Sequence, residues 1–535
     1  MVKMKKIGGA ALAALLACAP LAACSSNAGG GSSSTAPTDS GKGQTAAPSG
    51  ASGSKVSDKL VEMTIHFHDG DNKVFKDDFP VFKKAQEMTN VKLHGTAPPS
   101  ATNSREVFNM MLASGKLPDI VAGLKLDMNK AALDGALEPL DDLIEKHAPN
   151  IKKFFQTNKW AKAGSVASDG KLYFIPYIME GEASEGWYIR QDWLDKLGMP
   201  VPKTVDEYYQ TLKAFREKDP NGNGKKDEMP YFSRDNKEAI TELVPLFGVR
   251  PEWHAVNGKV QYGKYLPEYK DAMVNISKWY KEDLIDKEIY TRGAKAREVL
   301  LGDNVGGSTH DWFPSSATYN DTLKDKIKGF QFVVMAPPAD KNGKVWQEYS
   351  RMLLRDKGWG IASTSKNKVE AIKYFDFWFT PEGRTLMNFG IEGVQYDMKD
   401  GKPVFKPEVL NGKEPVNKQL WDIGAQLDIG YQMDLSYETQ WTNPIANKGI
   451  KMYIDNKYFA PQFPSVSFTP KEEKTISEKW PAIDTYIREM QQKWVMGAEA
   501  VEPNYDKYVK RLKEMGMDDI IKIYQDAYDR YQKNA

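Results

Sequence analysis

The sequence predicts an α/β fold with enough material for two cores, and three observations carry that expectation. The chain has 535 residues, 41% hydrophobic and 27% charged, a globular composition too long for one small domain. Apolar strand-like runs alternate with segments of helical period, the order that builds parallel sheets. Cys18 and Cys24 are the two cysteines and stand in the first 24 residues, so no later disulfide or thiolate zinc site is available and the fold must rest on packing.

In chain order, residues 61–67 (VEMTIHF) read as a buried strand, 78–90 as a helix and 91–93 as a second strand, a βαβ opening. Residues 105–115 read as a helix ending at Gly115, and 117–121 as a turn into a strand. Further strands are expected at 171–177, 328–335 and 358–362, all in parallel sheets. Residues 187–199 read as a helix stopped by Gly198 and Pro200. Thr204 with Glu207 has capping-box spacing and starts a helix to about Lys218. From 471 to 531 the period is almost wholly helical, with breaks at Gly497 and Gly516. No repeat of 20–50 residues is apparent.

The 73 Lys and Arg nearly cancel the 72 Asp and Glu, so a nucleic-acid partner is not expected. At the amino terminus, Lys3, Lys5 and Lys6 precede an apolar run that ends Leu21-Ala22-Ala23-Cys24. This is the layout of a secretory signal, and its end resembles the bacterial lipobox, in which the cysteine is diacylated and becomes the mature first residue. The competing reading is an uncleaved membrane helix, but the run is short and contains Pro20. Cleavage after residue 23 removes three lysines and no acids, turning a net charge of +1 into −2. Residues 24–57 then form the lipidated Cys24 and a Ser/Gly/Ala/Thr/Pro-rich tether without apolar period.

The stretch 187–204, with Asp-Gly-Lys-Leu-Tyr-Phe-Ile-Pro-Tyr before it and a Gly-Trp-Gly strand and Lys-Val-Glu-Ala helix after it (358–379), resembles family 1 of the extracellular solute-binding proteins of ABC transporters. The large oligosaccharide-binding lipoprotein branch, similar to alginate-binding proteins, is the nearest likeness. The resemblance implies two α/β lobes, discontinuous in sequence, with ligand held between them. The expected N-terminal lobe is 58–180 with 336–395, and the expected C-terminal lobe is 181–335 with 396–535, including a helical C-terminal region. Crossing segments are expected near 177–186, 334–338 and 390–396. The implied function is a lipid-anchored, monomeric receptor on the outer face of the plasma membrane. It would pass an oligosaccharide unaltered to the permease subunits of an ABC importer.

Residues 219–228 (Asp-Pro-Asn-Gly-Asn-Gly-Lys-Lys-Asp-Glu) place oxygen-bearing side chains at loop positions 1, 3 and 5 and a glycine at position 6, the ligand plan of an EF-hand. Asp219, Asn221 and Asn223 would give side-chain oxygens, Lys225 its carbonyl, and Asp227 and Glu228 further carboxylates. Pro230 stands where an EF-hand has its bidentate glutamate, so a structural calcium ion is expected rather than a switch. The alternative is an Asn/Gly turn that binds nothing.

Pyranose rings pack on aromatic faces while their hydroxyls bond to polar groups. Trp193, Trp279, Trp378, Trp480 and Trp494 lie in helical patterns and are assigned to packing. Trp187, Trp253, Trp312, Trp359, Tyr396 and Trp441, at loops or strand ends, are the candidate platforms. Trp312 ranks first, because it follows a small-residue turn, Gly306 to Asp311, whose Asp311 can accept sugar hydroxyls. Asp69, beyond the first strand, is a further candidate. Arg190, Arg250, Lys264, Arg292 and Arg355 could meet an acidic glycan.

Enzymatic rivals remain at this level. His66 and His68 share a strand face, but the other histidines stand singly, without metal-ligand spacing. Glu180, Glu182 and Glu185 could supply the carboxylate pair of a glycoside hydrolase or lyase. A peptide receptor is also compatible. No nucleophile elbow, phosphate loop or dinucleotide fingerprint is evident, and the expectation is a protein that is not an enzyme.

Overall fold

A computed structural model describes residues 55–535 except 71–72, 101, 236–239 and 349–350. The signal segment, Cys24 and most of the tether lie outside the described residues. The strands are β1 (Val61–His66), β2 (Val91–Gly95), β3 (Ile120–Leu124), β4 (Ile175–Ile178), β5 (Glu185–Arg190), β6 (Met229–Tyr231), β7 (Trp253–Val256), β8 (Lys259–Tyr262), β9 (Gly306–Trp312), β10 (Phe332–Met335), β11 (Leu354–Ile361), β12 (Tyr396–Lys399) and β13 (Lys402–Phe405).

Two sheets organise two lobes. The first has the order β2-β1-β3-β11-β4 and the second β10-β5-β9-β6. In the first, β1 runs parallel to β2 and β3, as the βαβ opening requires, with the Pro80–Thr89 helix between β1 and β2. β11 is antiparallel to both β3 and β4, and β5 is antiparallel to both β10 and β9. The expectation of wholly parallel sheets is therefore corrected. β11 and β5 each enter from the other lobe rather than through a local helical crossover, so the chirality rule that enforces parallel pairing does not act on them.

Residues 187–190 belong to strand β5, and the helix begins only at Gln191. β5 is buried on both faces: Trp187 and Ile189 enter the large second core, and Tyr188 enters a separate cluster with Phe313, Phe332 and Tyr453. A strand covered on both sides shows no polar alternation, which is why its sequence reads as part of the following helix. Gly306 to Asp311 is likewise not a turn but most of β9. A Cβ on Gly307 would lie 2.8 Å from the Phe215 ring and 2.9 Å from the Pro230 carbonyl, so its glycine serves close packing. Thr204 caps the Val205–Glu217 helix by accepting from Glu207 N–H at 3.2 Å, while the Glu207 carboxylate reaches Lys203 N–H at 2.6 Å rather than closing a full box. The carboxy-terminal helices Pro470–Val495, Val501–Glu514 and Met517–Asn534 break where expected and pack Trp494, Tyr508 and Ile520 into the second core.

The chain crosses between the lobes at 179–184, at 336–353, and at Thr442–Asn443 between the helices Leu435–Trp441 and Pro444–Asp455. The first lies where expected; the second comes about ten residues after 334–338, because Ala339 bridges Thr204 and Gln347 bridges Phe459 in the second lobe, which corrects the expected boundary at 336, and the third does not lie at 390–396. Tyr396, Phe405, Val409, Leu420, Tyr431 and Tyr437 are all in the first core, so residues 396–441 extend the first lobe, and the expected boundary at 395 is corrected. Glu180, in the first crossing, accepts from Arg384 at 2.5 Å, Gln432 at 2.8 Å and Leu435 N–H at 3.1 Å. It is a structural clamp, fully engaged. Residues 465–466 return to the first lobe, where the buried Lys125 ammonium donates to Ser465 Oγ at 2.8 Å and the Val466 carbonyl at 3.0 Å.

Candidate functional site

Each sheet opens a cavity at the carboxyl end of its mutually parallel strands, β6 and β9 in one and β1 and β3 in the other, the edge where open α/β sheets bind ligands. On the second sheet, the chain beyond β6 (Ser233, Arg234), the end of β9 (His310 to Trp312), the first residue of β5 (Glu185) and Glu242 surround a cavity of about 470 Å³. Trp312 is 47% exposed although its neighbours in β9 are buried. Asp311, beneath it, accepts from its backbone N–H at 2.6 Å and from Arg234 Nε at 2.9 Å, and Arg297 Nε stands 3.2 Å away. Burial pushes the Glu185 carboxyl up to about 7, with His310 opposing and Glu242 and Asp311 adding to the rise. Burial also lowers His310, against the pull of Glu185.

On the first sheet, His66, His68 and Asp69 beyond β1, Leu124 at the end of β3, and Lys357 on β11 line a second cavity together with Asp428. Lys357 donates to Asp69 and to Asp428, each at 2.7 Å. Burial draws its ammonium down, but the two carboxylates outweigh that and raise it. On the wall, Arg105 holds Asp127 at 2.7 Å, and His68 Nδ1 lies 2.6 Å from Ser104 Oγ. Both cavities thus present charges fixed by ion pairs, one carboxylate between two arginines in the second and one ammonium between two carboxylates in the first.

The loop from Asp219 to Glu228 joins the Val205–Glu217 helix to β6. Asp219 takes a positive φ of 47° and accepts from the backbone of Gly222, Asn223 and Gly224 at 2.9–3.1 Å, and Gly222 and Gly224 have φ of 76° and 74°. Asn221 and Asn223 both turn their amides to Asp227, at 3.2 and 3.1 Å, and Lys225 N–H donates to Asn223 Oδ1. Glu228 is fully buried, and neither of its carboxylate oxygens has a hydrogen-bond partner. Burial, with Asp219 and Asp227 close by, pushes it above the usual carboxylate range. An orphaned buried carboxylate inside a ring of oxygen donors fits a bound cation.

Residues 66–385, from the end of β1 through β11 and beyond, match the model of the bacterial extracellular solute-binding protein family. The chain belongs to that family. The alginate-binding protein AlgQ2, solved without calcium ion, is 43% identical and superposes with a TM-score of 0.73 over 89% of this chain and 99% of its own. The fructooligosaccharide ABC transporter substrate-binding protein FusA of Streptococcus pneumoniae is 27% identical over 454 residues, 80% of this chain and 82% of its own. The polygalacturonan/rhamnogalacturonan-binding protein YtcQ of Bacillus subtilis is 26% identical over 485 residues, 88% and 91% of the two chains.

In this solute-binding protein the expected platforms separate. Trp312 and Asp311 share the second-sheet cavity, and Asp69 lines the first. The other aromatics are corrected to packing. Trp359 is fully buried against Phe375, with ring centroids 4.4 Å apart, because β11 is an interior strand. Tyr396 packs on Phe389, and Trp441 on Tyr437 in the first lobe. Trp253 opens β7 rather than lying in a loop and stacks on Tyr524 of the last helix, centroids 3.7 Å apart. Trp187 lies under the cavity floor and meets His310 edge-on, centroids 5.3 Å apart. Four of the five proposed glycan cations are spent in ion pairs: Arg190 with Asp192, Arg250 with Glu348, Lys264 with Glu252 and Arg292 with Asp286. Arg355 is exposed and lines neither cavity. Arg234, Lys357, Asp428, Glu242 and His310 were not foreseen as a group, since their partners lie far away in sequence.

Proposed function

We propose that this solute-binding protein is the lipid-anchored receptor subunit of an ABC importer, which captures an oligosaccharide between its two lobes and delivers it, uncleaved, to a membrane permease. The carrying observation is the pair of cavities, one at the carboxyl edge of each sheet, with Trp312 exposed over the fixed Asp311 in one and the Asp69-Lys357-Asp428 group in the other. In this reading they are the two halves of one cleft, with an aromatic face for a sugar ring and rigid acceptors for its hydroxyls. Relatives that are named for binding alginate, fructooligosaccharide and pectic polymers support a saccharide as cargo.

Ligand contacts made by both lobes exist together only when the cleft shuts, so binding favours closure by that difference in affinity. The three crossing segments absorb the rotation. Two sequence features support anchoring: the lipobox-like ending at Cys24 and the long polar tether. No helix among the described residues is long and apolar enough to cross a membrane.

Asp219, Asn221, Asn223, Asp227 and Glu228, with the Lys225 carbonyl, would hold a calcium ion, which supplies charge compensation to the buried Glu228 and staples the helix end to β6. An all-oxygen donor set without thiol or imidazole favours calcium over softer metals.

The test is calorimetric titration of the mature protein with a panel of neutral and uronic oligosaccharides, followed by chromatography of the recovered sugar. Saturable binding with the sugar recovered intact is expected. Shortened fragments would make it an enzyme, and heat of binding only from peptides would make it a peptide receptor.

A further inference from the structure

We infer that Glu185, Glu242 and His310 form a binding site for one divalent first-row transition-metal ion, zinc by its donor set, on the inner wall of the second-sheet cavity. The three residues come from three elements: the start of β5, the Thr241–Phe247 helical segment, and β9. One ligand atom from each lies within 4.8 Å of the others. His310 Nδ1 and Glu242 Oε2 stand 3.3 Å apart. That is the edge of a tetrahedron whose corners stand about 2.0 Å from its centre, the reach of zinc to nitrogen and carboxylate oxygen.

The hydrogen bonds around the imidazole fix which nitrogen is free to bind. Gln347 Nε2–H donates to the Glu185 carbonyl at 3.1 Å, which turns Gln347 Oε1 toward His310 Nε2, also at 3.1 Å. An acceptor facing Nε2 places a proton there, so in the neutral imidazole Nδ1 carries the lone pair. In that tautomer Nδ1 faces the Glu242 carboxylate, so one ion could take a ligand atom from each. A ring N–H given to a fixed carbonyl is also the usual support of a metal-bound histidine. Trp187 packs edge-on against the ring, holding its plane.

Three protein ligands are one short of a tetrahedral set, and all three residues line the same cavity as Trp312 and Ser233. An open position takes water or an exchangeable oxygen, unlike a closed structural site. On the reading of this cavity as a solute subsite, that oxygen belongs to the captured solute. Donor chemistry separates the site from the Asp219–Glu228 loop: imidazole with carboxylates selects zinc, and oxygen donors alone select calcium.

The test needs no glycan, so its failure is distinct from failure of the transport reading. The mature protein is stripped with chelator, resaturated with calcium chloride and titrated with zinc chloride by calorimetry, alongside the variants E242Q and H310Q. X-ray absorption at the zinc edge reads the donors. The expected result is one zinc per chain with nitrogen and oxygen donors, weakened more than about tenfold in each folded variant. Glu242 is half-exposed, so E242Q decides the matter if H310Q does not fold. A wild-type protein that takes up no zinc, or a folded variant that binds it at full strength, overturns the inference.

Discussion

Arg234 donates through Nε to both carboxylate oxygens of Asp311, each at 2.9 Å, one residue before the exposed Trp312. Arg297 approaches the same carboxylate from the other side, at 3.2 Å. Asp311 is 5% exposed and the Arg297 side chain 11%, so this anion and that cation are held where water screens them little, while Arg234 reaches in from a partly exposed position. Asp311→Asn keeps the shape and removes the anion, leaving two arginines facing each other. We expect a loss of about 3 kcal/mol in urea unfolding, the usual consequence of breaking a buried pair. A loss within experimental error would mean that the arginines are solvated there.

Trp312 and Trp359 give opposite outcomes on truncation. Trp312→Ala removes a half-exposed ring, so stability should stay within about 0.5 kcal/mol while oligosaccharide affinity falls at least about tenfold. Trp359→Ala empties the centre of the first core and should cost about 3–5 kcal/mol in stability. Equal effects of the two on affinity, measured on folded protein, would contradict the assignment of Trp312 as the platform.

Calcium should raise the melting temperature of the wild-type protein and chelation should lower it. At a hundredfold excess over Kd the gain is about 2.7 kcal/mol. Asp219→Ala should abolish the response to calcium in a thermal-shift assay. Glu228→Gln should also lose the response, yet should make the calcium-free protein more stable, because it removes a buried carboxylate that has no partner. A calcium response surviving in both variants would place the ion elsewhere.

Burial, reinforced by the neighbouring His68, lowers the His66 imidazole from 6.5 to about 4. Because the folded value lies below the unfolded one, the native state binds fewer protons than the unfolded chain between these values. The contribution to stability is complete above pH 6.5 and is lost as the pH falls toward 4, a change of roughly 3 kcal/mol. His66→Asn should flatten the acid side of the stability profile in that window. An unchanged slope between pH 6.5 and 4 would show that His66 stays protonated or solvated.

Local rules made much of the first lobe legible in the sequence. Alternating apolar residues in 61–66, a Pro-initiated helix after Phe79 and a second strand at Val91 lead to the observed parallel pairing without further information. The amphipathic carboxy-terminal helices were equally plain. Where long-range packing decided the local state, the reading failed. Trp187 to Arg190 carries a helix-compatible pattern but becomes a strand because cores on both faces claim it. Gly306 and Gly307 read as a turn by composition but are extended in β9, where Phe232 at the first and Phe215 and Trp193 at the second leave no room for a side chain.

The cavities were legible only at their centre. Trp312 and Asp311 are adjacent in sequence, and Asp69 follows a recognisable strand. Their partners are not local: Arg234 lies 77 residues from Asp311, and Lys357 lies 288 residues from Asp69. The Asp219–Glu228 loop was readable because all its donors fall within ten residues, a property of local motifs that clefts built from several strand ends lack.

Small-angle X-ray scattering of the mature protein, with and without a saturating oligosaccharide drawn from the panel, measures capture by closing lobes most directly. The account predicts a smaller radius of gyration with sugar bound, and the same sugar recovered intact afterwards. An unchanged radius at full occupancy, or cleaved sugar in the recovered sample, would contradict it.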